Sequence, residues 1–208
     1  MSELKKVMLV DDHQSMRDLF ENEFTPESGF KVVDSLGCAA DAVVFCQQAR
    51  PDLIIMDVCT ENGASGLDAT EKILEAFPEI KVIVTSGFDE ITYMPRAKKI
   101  GAHAFVYKTK SAEYYREVAN QVLAGEYVFP EPKTIPRANG DAPFTDREME
   151  VLTLLCKCMT HQEIADELFI SKKTVGKHIE NMRDKAAVKS AMDLVIYVLS
   201  NGWINPNY

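Results

Sequence analysis

The chain has 208 residues, with 23 Lys+Arg against 32 Asp+Glu and a formal net charge of −9. That length exceeds the roughly 100–150 residues at which single domains centre, and it suits two. A hydrophobic fraction of 46% excludes a compositionally disordered chain, and the acidic balance excludes indiscriminate binding to nucleic acid or anionic membranes.

The charged N-terminus leads into "VMLV", an apolar run too short to target or cross a membrane. From there to about residue 124, strand-like runs alternate with helical patterns. The runs are "KKVMLV", "FKVVDSL", "DLIIMD", "KVIVTS" and "HAFVY". The patterns between and after them are "SMRDLFENEF", "AADAVVFCQQA", "LDATEKILEAF", "EITYMPRAKKI" and "AEYYREVANQVLA". Five β/α units predict a mainly parallel sheet with helices on both faces. Near-continuous Val/Ile/Leu runs are what strands buried on both faces require.

The text from Phe129 to Pro143, "FPEPKTIPRANGDAP", is rich in proline and lacks an apolar period, which predicts a semi-extended linker. Only helices follow. Thr145 with Glu148 and Thr160 with Glu163 read as capping boxes, Ser190 with Asp193 as a looser one, and Ser171 opens another helix. The expected division is therefore 1–128, a linker 129–143, and a smaller all-α domain 144–208. Between Lys172 and Lys189 the basic residues Lys172, Lys173, Lys177, Arg183, Lys185 and Lys189 outnumber Glu180 and Asp184. A basic segment in an acidic chain suggests a focused polyanion contact, or else a solvated helix face. The cysteines Cys38, Cys46, Cys59, Cys156 and Cys158 are odd in number and lack zinc-site spacing. With no signal peptide, they point to reduced thiols in a cytoplasm.

Parallel sheets of this kind bind ligands outside the C-terminal ends of their strands. Asp11-Asp12 end the first run, Asp57 the third and Thr85-Ser86-Gly87 the fourth, while Lys108 follows the fifth. Three carboxylates in one crevice repel and need a cation; hard oxygen ligands suit Mg²⁺ or Mn²⁺. A metal, a lysine and a hydroxyl together describe a phosphoryl site in which one carboxylate can attack.

Together "LVDDH", "PDLIIMD", "VIVTSGFDE" and "GAHAFVYKT" resemble the receiver domain of bacterial two-component response regulators, over residues 4–124. The resemblance implies a flavodoxin-like (βα)5 fold. It implies Asp57 as phosphoacceptor from a histidine kinase, and Mg²⁺ (or Mn²⁺) held by Asp11, Asp12, Asp57 and the Cys59 carbonyl. Ser86 would be the switch hydroxyl, Lys108 the phosphate-binding lysine and Phe105 the reorienting aromatic. Ser86 is preferred to Thr85 because Gly87 fits the small residue that follows the hydroxyl in the family. The loop after Asp57, "VCTENGASG", departs from the family: it is one residue longer and has Thr60-Glu61 where Met-Pro is usual.

Similarly, "FTDREMEVLTLL", "EIADELFISKKTVGKHIENMRDK" and "AVKS" resemble the LuxR-type helix-turn-helix of NarL/FixJ regulators, over residues 143–204. That resemblance implies a scaffold helix near 161–168 and a recognition helix near 172–186 in the DNA major groove. Its buried stripe would be Val175, Ile179, Met182 and Ala186. Its DNA-contacting residues would be Lys172, Lys173, Thr174, Gly176, Lys177, Glu180 and Asn181. Gly176 stands where the family is usually basic, Glu180 where some members are basic, and Cys158 and Ala187 where it has glycines.

These readings imply a phosphorylation-dependent, DNA-binding transcription regulator. Its partners would be a sensor histidine kinase, promoter DNA and, when phosphorylated, a second copy of itself. It would be cytoplasmic, without a membrane partner, and no enzyme beyond metal-dependent self-phosphorylation and slow autodephosphorylation. Gly176 and Glu180 keep open an alternative, a phospho-switched protein-interaction module with vestigial DNA binding. A dehalogenase-like phosphatase would need Asp-x-Asp, and Cys59 stands at its second position.

Overall fold

The computed structural model describes residues 3–87, 93–131, 144–201 and 203–204, which fall into two units divided between residues 131 and 144. The first unit alternates strand and helix: β1 (Lys5–Val10), α1 (Gln14–Glu23), β2 (Phe30–Leu36), α2 (Ala39–Ala49), β3 (Leu53–Asp57), α3 (Gly66–Ala76), β4 (Lys81–Ser86), α4 (Tyr93–Lys99), β5 (Ala104–Tyr107) and α5 (Ala112–Leu123). All strand pairs are parallel, in the order β2-β1-β3-β4-β5. The order reverses beside β1, which puts the crevice between the ends of β1 and β3.

Strand alternation sorts the core into two layers. Val7, Leu9, Leu53, Ile55 and Ile83 pack with Phe20 of α1 and Tyr115, Val118 and Val122 of α5. Met8, Val10, Ile54, Met56, Val82 and Val84 are just as buried but point to the other face. Buried on both sides, β1, β3 and β4 tolerate a carboxylate only where the strand stops. Burial also pushes the Cys46 thiol in α2 up to about 11, so that cysteine is an inert packing group.

Among the described residues, four helices form the second unit: α6 (Asp146–Cys156), α7 (His161–Glu167), α8 (Lys172–Ala186) and α9 (Ala191–Ser200). Each begins at the expected cap: Thr145, Thr160, Ser171 and Ser190. Ser190 and Asp193 complete a full capping box rather than a loose one. Val151, Leu152, Ile164, Val175, Ile179, Met182, Leu194 and Val198 form the core, with Ala186 partly buried against it.

Glu148 is nearly buried (3% exposed) and ties this unit together. It accepts from the Thr145 backbone amide at 2.7 Å and pairs with Lys185, near the end of α8, at 2.6 Å. Burial pushes its carboxyl up, but the Lys185 ammonium and the Thr145 amide outweigh this and hold it below the usual carboxylate range. A depressed folded value gives stability that is present above the unfolded Glu pKa of about 4.3 and is lost as pH falls through the folded value. Lys185→Met should therefore cost about 2 kcal/mol at pH 7, less than a fully buried pair because Lys185 is partly exposed, and progressively less as pH falls below the unfolded value of about 4.3. Urea unfolding followed by Trp203, the single tryptophan, measures it.

Cys158 (φ 61°) and Ala187 (φ 54°) adopt left-handed backbone at the C-terminal ends of α6 and α8, where L side chains crowd the following carbonyl. The departures from glycine at these two positions are thus local backbone strain. Cys158→Gly and Ala187→Gly should each stabilise this unit by about 0.5–1 kcal/mol in the same assay.

Candidate phosphoryl site and nucleic-acid interface

The strand-end residues meet as the chain order demands. Asp11 (2% exposed) follows β1, Asp57 (3%) ends β3, and Lys108 follows β5. Carboxylate oxygens of Asp11, Asp12 and Asp57 and a ring nitrogen of His13 all lie within 4.8 Å of one another. Lys108 Nζ bridges Asp11 Oδ2 at 2.7 Å and Asp57 Oδ2 at 2.8 Å. Asp11 Oδ1 accepts from the His13 amide at 2.9 Å, and His13 Nδ1 lies 2.6 Å from Asp12 Oδ1.

Burial raises the Asp57 pKa to about 7, with Asp11 and Asp12 adding to the rise and Lys108 opposing it. Lys108 is itself raised: burial alone would lower it, but the charges and hydrogen bonds of Asp57 and Asp11 win. One lysine therefore does not neutralise the three carboxylates. This surplus of hard, buried oxygen donors fits a divalent cation, and the acidic pocket can hold one.

The backbone explains two small residues. A Cβ on Gly66 would stand 1.8 Å from the Asp57 carbonyl oxygen, so only glycine can start α3 this close to β3. The Lys108 amide donates to the Ser86 carbonyl at 2.8 Å, which ties the β5 end to β4. Of the two adjacent hydroxyls, Thr85 faces α5 and hydrogen-bonds the buried Tyr115 hydroxyl. Alternation puts Ser86 (1% exposed) on the opposite side. Phe105 is buried, its ring edge-on to Tyr107 at 5.3 Å. Phe88, which follows Gly87 in the fourth run, lies outside the described residues, as do residues 132–143 of the expected linker.

His13, Thr60 and the Tyr115 hydroxyl belong to this neighbourhood and were missed from sequence. His13 had a signal, since it directly follows Asp11-Asp12. Tyr115 had none, because only the packing of α5 on β4 brings it to Thr85.

On α8, Lys172, Lys173, Lys177, Glu180 and Asp184 are exposed, while Thr174, Gly176 and Asn181 are half-buried. Ser171 Oγ accepts from the Thr174 amide at 3.0 Å, which fixes the first turn. Lys177 pairs with Glu180 at 3.0 Å. The basic run is smaller in effect than it looks, since Lys185 serves Glu148 and Arg183 donates to the Lys189 carbonyl. A Cβ on Gly176 would meet nothing within 4 Å, so nothing within this unit requires glycine there.

The comparisons agree with this geometry. Residues 7–120 match the response regulator receiver domain, and residues 142–198 match the luxR family of bacterial regulatory proteins. The chain belongs to the LuxR-type response regulators. It is 32% identical over 207 residues to the response regulator protein VraR of Staphylococcus aureus, covering 96% of this chain and 98% of that protein. RcsB of Salmonella typhimurium shares the fold at TM-score 0.61 and 18% identity, covering 96% of this chain and 100% of that one. A structure of two RcsB dimers bound to two parallel DNAs matches at TM-score 0.65 and 18% identity, covering 95% and 98%. This response regulator is thus a phosphorylation-dependent transcription regulator with a flavodoxin-like receiver and a helix-turn-helix domain.

Proposed function

We propose that Asp57 accepts a phosphoryl group from the phosphohistidine of a sensor histidine kinase. The carrying observation is a nearly buried carboxylate at the end of β3, bonded to Lys108 and grouped with Asp11 and Asp12. An Asp57 oxygen attacks phosphorus as the bond to the histidine nitrogen breaks, and that nitrogen keeps the electron pair. Lys108 leaves its carboxylate partners to meet the incoming oxygens, and the Ser86 hydroxyl donates to one of them. Phe105 follows that shift and reports it at the β5 edge. Asp11, Asp12, Asp57 and the Cys59 carbonyl would hold Mg²⁺ (or Mn²⁺), which would supply the charge that makes a phosphoryl group tolerable beside three carboxylates.

Residues 129–143 act as a linker, and the output is DNA binding by α8. Lys172 and Lys173 suit phosphate contacts at its first turn, and Lys177 and Glu180 form a polar pair above the groove. Thr174, Gly176 and Asn181 complete the contact face. The regulator acts in the cytoplasm; among the described residues no helix is long and apolar enough to cross a membrane. Any catalysis is limited to its own phosphorylation and dephosphorylation. Met192 (66% exposed) and Ile196 (57%) stand one turn apart on α9 and suit contact with a second copy.

Sequencing the DNA bound by full-length protein, with and without phosphorylation, tests the reading. Phosphorylation should raise affinity for paired half-sites by about 10- to 100-fold, within the usual range of coupling between sites. Ile196→Glu should leave the phosphorylated protein monomeric in light scattering and confine its footprint to one half-site. Equal and unspecific binding in both states would favour the protein-interaction module.

A further inference from the structure

The loop that departs from the family is held in a way its length does not suggest. Glu61, Asn62 and Gly63 are exposed, but Thr60, just before them, is nearly buried (3% exposed). Its hydroxyl donates to the Ala64 carbonyl at 2.7 Å and accepts from the Ala39 amide at 2.9 Å. Ala39 is the first residue of α2, and Cys38 at the cap of that helix makes no side-chain cap bond. Thr60 therefore supplies, from a distant segment, the cap that Cys38 lacks.

Neighbouring contacts follow the same line. The Glu61 amide donates to the Gly37 carbonyl at 3.2 Å, and Cys38 Sγ donates to the Glu61 carbonyl at 3.5 Å. A Cβ on Gly37 would lie 2.7 Å from Glu61 Oε1, so the Glu61 carboxylate rests against a bare backbone. Within the loop, Cys59 pairs with Ser65 as an antiparallel bridge. The Gly66 amide donates to the Val58 carbonyl at 2.8 Å, and the Thr60 amide to the Ala64 carbonyl at 3.3 Å. Cys59 thus lies in the stem of a closed hairpin that Thr60 anchors.

We propose that Thr60 is a positioning residue of the phosphorylation site: by latching the enlarged loop to the first turn of α2, it fixes the Cys59 carbonyl for the divalent cation. The proposal rests on the reading of Asp57 and its acidic cluster given above. A longer loop carrying Gly63 has more conformations to lose when a backbone ligand is ordered, and the latch removes that freedom before the cation arrives. It also makes α2 sense the state of the site, a connection that a shorter Met-Pro loop does not make with this hydroxyl.

Calorimetric titration of the full-length protein with Mg²⁺ tests this. Thr60→Val keeps the shape and removes both side-chain bonds. It should weaken Mg²⁺ binding by about tenfold, the low end for groups that orient metal ligands. Thr60→Ser should restore it. Amides in the first turn of α2 should exchange faster in Thr60→Val. Phosphorylation by acetyl phosphate should be slow at low Mg²⁺ and reach the wild-type rate at saturating Mg²⁺. Wild-type affinity in Thr60→Val, or a failure of Thr60→Ser to restore affinity, overturns the latch, as does a rate deficit that Mg²⁺ does not repair. Undiminished phosphorylation of Asp57→Asn would instead overturn the site reading on which it rests.

Discussion

Asp57→Ala should reduce phosphorylation by Mg²⁺ and acetyl phosphate by at least about 100-fold, because the attacking oxygen itself is removed. The wild type should take up one acid-labile, hydroxylamine-sensitive group, the signature of an acyl phosphate. Other carboxylates are poor substitutes. Asp11 is clamped by Lys108 and the His13 amide, and Asp12 by the His13 ring. The variant should stay folded, since burial and two neighbouring carboxylates raise the Asp57 pKa to about 7 and make its ionised form costly. Phosphorylation-dependent DNA binding should vanish with the label while basal binding remains. Full labelling of Asp57→Ala, read by mass spectrometry, would refute the assignment.

How much of this was legible in the sequence depends on the range of the interaction. Helix starts were legible because caps are local: Thr145, Thr160, Ser171 and Ser190 each bond an amide three residues on. The crevice was legible for a different reason, since a parallel sheet brings all its strand ends to one edge and so unites Asp11, Asp57, Ser86 and Lys108 without a contact map. Thr60 was not legible as a cap for α2, because its partner Ala39 is 21 residues away and depends on how two loops fold against each other. Lys185 read as part of a basic surface, yet its partner Glu148 is 37 residues upstream, and the pair subtracts from the charge offered to DNA. Charge counts along a helix overstate a polyanion site whenever tertiary contacts consume some of the cations.

The phosphorylated state should be long-lived, and Cys59→Asn should shorten its half-life by about 10- to 100-fold, the low range of general acid–base contributions. Hydrolysis of the acyl phosphate requires a water in line with the Asp57–phosphorus bond. Cys59, two residues beyond Asp57, is placed to flank that approach and carries no carboxamide or carboxylate to orient the water. Its thiol instead lies 3.8 Å from the hydroxyl of Tyr93, which is nearly buried at the start of α4. A thiol facing a phenol holds water poorly, whereas an asparagine amide would accept and donate at once. The opposing effect is the longer loop, whose extra residue gives water another way in. The Cys59–Ser65 bridge and the two bonds of the Thr60 hydroxyl argue that this entrance is closed. Slow turnover matches an output that works through transcription, and it leaves resetting to a partner with phosphatase activity. The decay of labelled protein in excess Mg²⁺ settles the balance. If the wild type decays within seconds and Cys59→Asn leaves that rate unchanged while Thr60→Val accelerates it, the loop and not the Cys59 side chain controls access to the phosphoryl group.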